Sequence, residues 1–296
     1  MSVFLPLFAV LIWSANTVVA KAAAAVFAPE AISFYRWLIA AIVLTPFCLR
    51  SLLAQRQAIR PYLPRFAALA LLGMVINQCL AYYAAHSTSA TNMGVLTALI
   101  PLIGVLMSSL LFRQRIGMQT LLGVALSFAG VVYLLGRGHP AGLLDAGVGQ
   151  GDVLMLTASS AYALYSILLK RWPMPFDPWL NLYVQVLLAV VMLAPVAMTA
   201  SSLAIPARGV AMVLFAGIGS SVLAAFCWMR AVHRNGAERT GVYMNLLPLI
   251  TALIACVTLG ETIQHYHWLG GSAILAGVVL AQGGFPLAGR WRRALA

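Results

Sequence analysis

Acidic residues are scarce: the 296 residues hold six Asp and Glu against 18 Lys and Arg. Charged residues of both signs make up 8% of the chain, where a soluble domain carries about 25%. A domain that faces water over most of its surface is thereby excluded. The same scarcity removes the usual carboxylate chemistry, because no Asp or Glu falls at the centre of an apolar run. Cysteine is sparse too. Cys48, Cys79, Cys227 and Cys256 are scattered through apolar segments without C-x-x-C spacing, which speaks against a metal site or disulfide framework and for small buried hydrophobes. His265-Tyr266-His267 has the wrong spacing for one helical face and H-E-x-x-H is absent, so no metal and no cofactor is expected. The net charge is +12, but there is no Lys/Arg-rich domain and no RNA or DNA motif, so nucleic acid is not an expected partner. No obligatory protein partner is signalled.

Hydrophobic residues supply 62% of the sequence. A helix that crosses the hydrocarbon core needs about 20 apolar residues. That ruler finds ten candidate spans, at about 3–24, 30–49, 64–85, 90–112, 116–136, 151–171, 178–199, 207–230, 238–259 and 265–285. The runs are continuous rather than alternating, which excludes barrel strands. The expected fold is therefore an all-α membrane protein, with the lipid bilayer as its main partner. The first run lacks the Lys or Arg that precedes a secretory signal core, and it reads as a persistent helix.

Cations mark the orientation. Arg50, Arg56, Arg60, Arg65, Arg113, Arg115, Lys170, Arg171, Arg230, Arg234, Arg239, Arg290, Arg292 and Arg293 all fall on one side if the spans alternate. Lys21, Arg137 and Arg208 fall on the other. Positive-inside placement puts both termini in the cytoplasm. The Ala-rich chain carries no N-x-[ST] sequon, which is compatible with a bacterial inner membrane.

The chain also repeats itself. Gly94–Ile103 reads GVLTALIPLI and Gly241–Ile250 reads GVYMNLLPLI, six identities in ten at an offset of 147. At that offset Ala84, His86, Ala90, Ile116, Gly123 and Gly130-Val131-Val132 match Ala231, His233, Ala237, Ile263, Gly270 and Gly277-Val278-Val279. At an offset of 149, Trp13, Asn16 and Lys21 lie over Tyr162, Tyr165 and Lys170. Residues 1–140 form one expected five-helix repeat and residues 148–289 the other. Two similar halves with an odd number of spans cross the membrane in opposite senses. Such inverted repeats are typical of secondary transporters, in which exchanging the conformations of the halves turns an inward-open state into an outward-open one.

Several motifs, in order, resemble the EamA-type branch of the drug/metabolite transporter superfamily. They are Trp13-Ser14-Ala15-Asn16 with Lys21, Phe34-Tyr35-Arg36-Trp37-Leu38-Ile39-Ala40, Pro101-Leu102, Leu246-Leu247-Pro248, Leu259-Gly260-Glu261 and Trp268-Leu269-Gly270-Gly271. Leu111-Phe112-Arg113 stands where a second Leu-Gly-Glu is usual, so that acid is not duplicated. The resemblance implies ten helices and the export or exchange of small metabolites. It is greatest to exporters of aromatic amino acids. The chain also resembles, distantly, the small multidrug antiporters, which rely on an acid in their first helix. This chain has none there, which favours facilitated transport over proton exchange.

Candidate site residues follow from helical spacing. Trp13 and Asn16 share one face, Tyr162 and Tyr165 the equivalent one, and Gln78 and Tyr82 lie four apart. Trp228 reads as a cavity residue rather than an interfacial anchor, and Tyr243 sits beside Pro248. Amides are costly against lipid, so these eight are expected to line a substrate cavity between the halves. Aromatic faces would stack a planar solute there, such as an aromatic L-amino acid or a flat cation. Sugar phosphates are the alternative solute. Pro101 and Pro248 free the carbonyls four residues back, Thr97 and Met244, and are expected to kink their helices as gates. Trp37, Trp172, Trp179 and Trp291 read as interfacial anchors. Arg36 is expected to cap carbonyls or pair with Glu30, the alternative being a substrate carboxylate, and Lys21 to snorkel outward. An intramembrane hydrolase would draw on Ser220 or Ser221 with a histidine base. However, the histidines lie near span ends and no carboxylate orients them, so no catalytic residue is assigned.

Overall fold

A computed structural model describes residues 3–112, 117–139, 148–236 and 240–281. Helices and turns account for all regular structure among the described residues. Eight helical runs are long and apolar enough to cross a membrane: Phe4–Ala23, Pro29–Ser87, Ala90–Phe112, Met118–Leu135, Gln150–Arg171, Pro178–Ala197, Ala207–Asn235 and Val242–Leu259. A further helix, His265–Ala281, has 17 residues.

The second run is 59 residues long, which as one straight helix would reach about 90 Å through a core of about 30 Å. It does not run straight. The α-helix Pro29–Ile59 ends in a single 3₁₀ turn, Arg60–Tyr62, where Pro61 removes a backbone donor. The chain then returns antiparallel through residues 63–87. Tyr83 donates to Glu30, Gln78 accepts from Arg36, and Trp37 Nε1 donates to the Met74 carbonyl at 3.0 Å. Both spans expected in this region are present, and the first runs on to Ile59.

Element boundaries recur at the sequence offset. The 3₁₀ turn Arg60–Tyr62 has its counterpart in Ala207–Gly209, and helix Ile100–Phe112 in Leu247–Leu259, each 147 positions on. Each half carries a π-helical stretch ending at equivalent residues, Leu71–Ile76 and Phe215–Leu223. Pro29 and Pro178, 149 apart, each open a helix, the position where a missing N–H costs least. At the 147 offset the first-half counterpart of Glu261 is Gln114 and not Arg113, so the register read from the motif in the sequence is one residue off; Arg113, Gln114 and Arg115 lie outside the described residues.

Equivalent helices meet antiparallel. A Cβ on Gly123 would lie 2.5 Å from the Gly277 carbonyl oxygen, and one on Gly130 would lie 2.7 Å from that of Gly270. Only glycine permits this backbone approach between helices 118–135 and 265–281. Helices 29–59 and 178–197 are likewise antiparallel, with Thr45 bonded to Tyr183 (2.8 Å) and Cys48 reaching Trp179 (3.9 Å). Helix 4–23 lies between runs 207–235 and 242–259, tied by Trp13 to the Ser220 carbonyl and by Ser14 to the Leu247 carbonyl. Helix 150–171 lies correspondingly between residues 63–87 and 90–112, tied by Asn77 to the Ala158 carbonyl and by Ser159 to the Leu96 carbonyl. Phe47, Leu110, Val191 and Val257 remain exposed on the outside of the bundle, as side chains that face lipid tails should.

Candidate functional site

The interleaving of the halves leaves a cavity of about 660 Å³. Seven of the eight residues singled out in the sequence line it: Trp13, Asn16, Gln78, Tyr82, Tyr162, Tyr165 and Trp228. The eighth, Tyr243, does not. It lies in the 3₁₀ stretch Val242–Leu246, whose tighter winding breaks the helical register assumed for this segment, and Met244 and Leu247 line the cavity in its place.

Two aromatic pairs form the walls. The Trp13 and Trp228 rings lie 5.3 Å apart and tilted, and Tyr162 and Tyr165 lie 5.2 Å apart. Trp13 is fixed by its indole bond to the Ser220 carbonyl (3.2 Å). Tyr165 fits because residue 73 is glycine; a Cβ there would lie 2.7 Å from its ring. Three amide oxygens of lining residues, Asn16 Oδ1, Asn181 Oδ1 and Gln185 Oε1, are buried without a partner. Such groups cost about 1–3 kcal/mol each until something satisfies them.

Arg36 overturns its sequence reading. It neither caps carbonyls nor pairs with Glu30, which instead accepts from Tyr83. It is 4% exposed and lines the cavity. Its guanidinium donates to Ser221 Oγ (2.8 Å), Gln78 Oε1 (2.9 Å), Ser220 Oγ (3.1 Å) and Tyr82 OH (3.5 Å). Trp37, expected at the interface, is buried beside it, with the Arg36 guanidinium 5.2 Å from its ring. Ser220 and Ser221 are thereby accounted for. Ser221 also donates to the Ala216 carbonyl five residues back, within the π-helical stretch. No His, Asp or Glu is among the lining residues described. The sequence could have flagged Arg36 more firmly: it is a cation well inside an apolar run, with no acid one helical turn away.

The prolines do not bend continuous α-helices. Pro101 is the second residue of helix Ile100–Phe112, after a break at Ala98–Leu99, and Pro248 is the second residue of Leu247–Leu259, after the 3₁₀ stretch. Proline's fixed φ suits the first turn of a helix, so each run breaks just ahead of it. The Met244 carbonyl accepts from Leu247 N rather than lying free. Neither proline lines the cavity.

One end of the bundle is clasped by polar contacts. Lys21 Nζ does not snorkel but donates to the Ala85 carbonyl (2.7 Å). Thr88 donates to Asp152 (2.5 Å). The Glu261 carboxylate accepts from Ala90 N (2.7 Å), Thr91 N (3.0 Å) and Thr91 Oγ1 (2.7 Å). It thus caps the helix that starts at Ala90, where the unpaired N–H groups and dipole favour an anion. Toward the opposite end, the cavity lining runs out to Leu169 and Pro178, both exposed.

Many apolar helices wrapped around an internal cavity define an integral membrane protein. The EamA-like transporter family matches residues 1–136 and 149–282, and the chain belongs to that family. Similar proteins include the uncharacterized transporter YyaM of Bacillus subtilis (strain 168), 23% identical over 89% of this chain and 88% of that one. An uncharacterized transporter of Archaeoglobus fulgidus is 27% identical over 91% of this chain and 93% of its own. A crystal structure aligns over 97% of both chains with a TM-score of 0.65 at 19% identity, a likeness of fold alone. The chain is a membrane transporter of this family, a family of transporters rather than enzymes.

Proposed function

We propose that the protein exports aromatic L-amino acids from the cytoplasm by alternating access, through ten crossings arranged as two inverted five-helix repeats, residues 1–140 and 148–289. The observation that carries the substrate reading is the gathering of Trp13, Trp228, Tyr162 and Tyr165 around one cavity. Tilted aromatic pairs accept a third ring at a gain of about 0.5–1.5 kcal/mol beyond area burial. Asn16, Gln78 and Tyr82 supply polar contacts, and the unpartnered Asn16 oxygen suits an ammonium donor. The recurrence of element boundaries and the antiparallel meeting of equivalent helices support the inverted repeat. The two stretches matched by the family support the division between halves. Cation placement supports cytoplasmic termini in an inner membrane. With the clasped end outside, the cavity faces inward. Pro101 and Pro248 act as the hinges at which the broken helices swing, and transport is facilitative, a reading supported by the lack of an acid in the cavity lining among the described residues.

The test is counterflow in proteoliposomes preloaded with phenylalanine. Labelled phenylalanine and tryptophan are expected to accumulate, leucine less so. Accumulation driven only by sugar phosphate would replace this reading with that of a sugar-phosphate exchanger.

A further inference from the structure

We propose that Arg36 is the anion subsite of the cavity and that it takes a single carboxylate. The proposal rests on the carrier reading above and gives its site a charge requirement. All four bonds to the guanidinium come from neutral acceptors, two serines, a glutamine and a tyrosine. They orient the planar fork but leave its full charge uncompensated, and a guanidinium carries five N–H donors. A buried cation without a counter-ion is costly, and intramembrane charges that persist mark sites of function. A glutamine would tie these helices together with neutral hydrogen bonds and no buried charge. The positive charge therefore points to a ligand.

The charge of that ligand follows from the rest of the wall. No acidic residue lines the cavity among the described residues. Lys21 is not among the lining residues and donates to the Ala85 carbonyl. One positive charge matches a monoanion; a phosphate dianion would need a second. Four of the five guanidinium N–H donors are engaged, the weakest at 3.5 Å to Tyr82 OH, so a carboxylate takes the remaining N–H in a charge-assisted bond and gains a second by displacing Tyr82. Flat cations, which the aromatic walls alone would admit, are rejected by the same charge.

The test is binding to the purified wild-type protein, read by quenching of its tryptophan fluorescence and by thermal stabilisation. The ligands are 3-phenylpropionate, L-phenylalanine, phenylalaninamide, phenethylamine and phenyl phosphate. The two carboxylates are expected to bind, and the amide and amine to bind on the order of 10-fold to 100-fold more weakly. Arg36→Gln is expected to abolish the difference between phenylalanine and its amide. Where that variant does not fold, the acid–amide comparison on the wild type decides alone. Equal binding of acid and amide, tighter binding of phenyl phosphate, or no binding across the series would each overturn the proposal. Counterflow separates this outcome from the carrier reading. Selective carboxylate binding without amino-acid counterflow leaves the subsite standing and removes the amino-acid export. Counterflow of phenylalanine and its amide alike does the reverse.

Discussion

Ser127 donates a 3.0 Å hydrogen bond to the carbonyl of Ile274, the residue that occupies its own position 147 residues on. A contact between positions equivalent at the sequence offset is what the proposed inverted repeat would put on its local twofold axis. On either side, Gly123 meets Gly277 and Gly130 meets Gly270, as such an axis requires of antiparallel helices. The first prediction concerns this seam. Gly277→Leu has no room and is expected to cost roughly 4 kcal/mol or more, leaving little monodisperse protein on size exclusion. Gly241→Leu, where a Cβ meets open space, is the control and is expected to purify normally.

Glu261 caps the helix beginning at Ala90 with three hydrogen bonds. Glu261→Gln keeps the shape and removes the charge. A loss of about 1 kcal/mol is expected, read as a lower midpoint of thermal unfolding in detergent. An unchanged midpoint would show the cap to be energetically idle.

The proposed exchange of conformations between the halves makes a specific forecast for the opposite face. Lys21 holds the Ala85 carbonyl, and the equivalent pair is Lys170 and Val232, with Lys170 exposed in this state. Cysteines at 170 and 232 are expected to cross-link through a short thiol reagent, with a yield that transported substrate changes. A yield indifferent to every transported solute would separate this pair from the transport cycle.

Topology is tested by cysteine accessibility from the two sides of the membrane. Gln57→Cys should label from the inside and Ser202→Cys from the outside. Labelling of both from one side would remove the inverted arrangement.

Much of this architecture was legible in the sequence because membrane helices are written as long apolar runs. Identities at a fixed offset, moreover, foreshadowed the element boundaries that recur at that offset. Seven cavity residues followed from spacing alone, since an amide or aromatic face deep in a span must turn inward. What escaped detection depended on irregular winding or on distant partners. The 3₁₀ stretch rotates Tyr243 away and the α-helix starts one residue before Pro248, while composition signals neither. Arg36 was misread because its acceptors come from residues 42, 46, 184 and 185 positions away, and none is acidic. Trp37 was assigned to the interface by type, although it is buried against Met74.

Pro248→Ala restores a donor at the second residue of helix Leu247–Leu259 and allows the helix to extend back through the 3₁₀ stretch. Export by alternating access with this break as a hinge predicts folded, inserted protein with slowed exchange. Wild-type exchange would make the break a packing feature.

The most direct measurement is competition against a labelled phenylalanine tracer during counterflow in wild-type proteoliposomes. Export of aromatic amino acids through this cavity predicts that unlabelled phenylalanine and tryptophan displace the tracer, leucine does so more weakly, and a sugar phosphate does not. Leucine competing as well as phenylalanine would contradict the aromatic assignment, and competition by the sugar phosphate alone would contradict amino-acid transport itself.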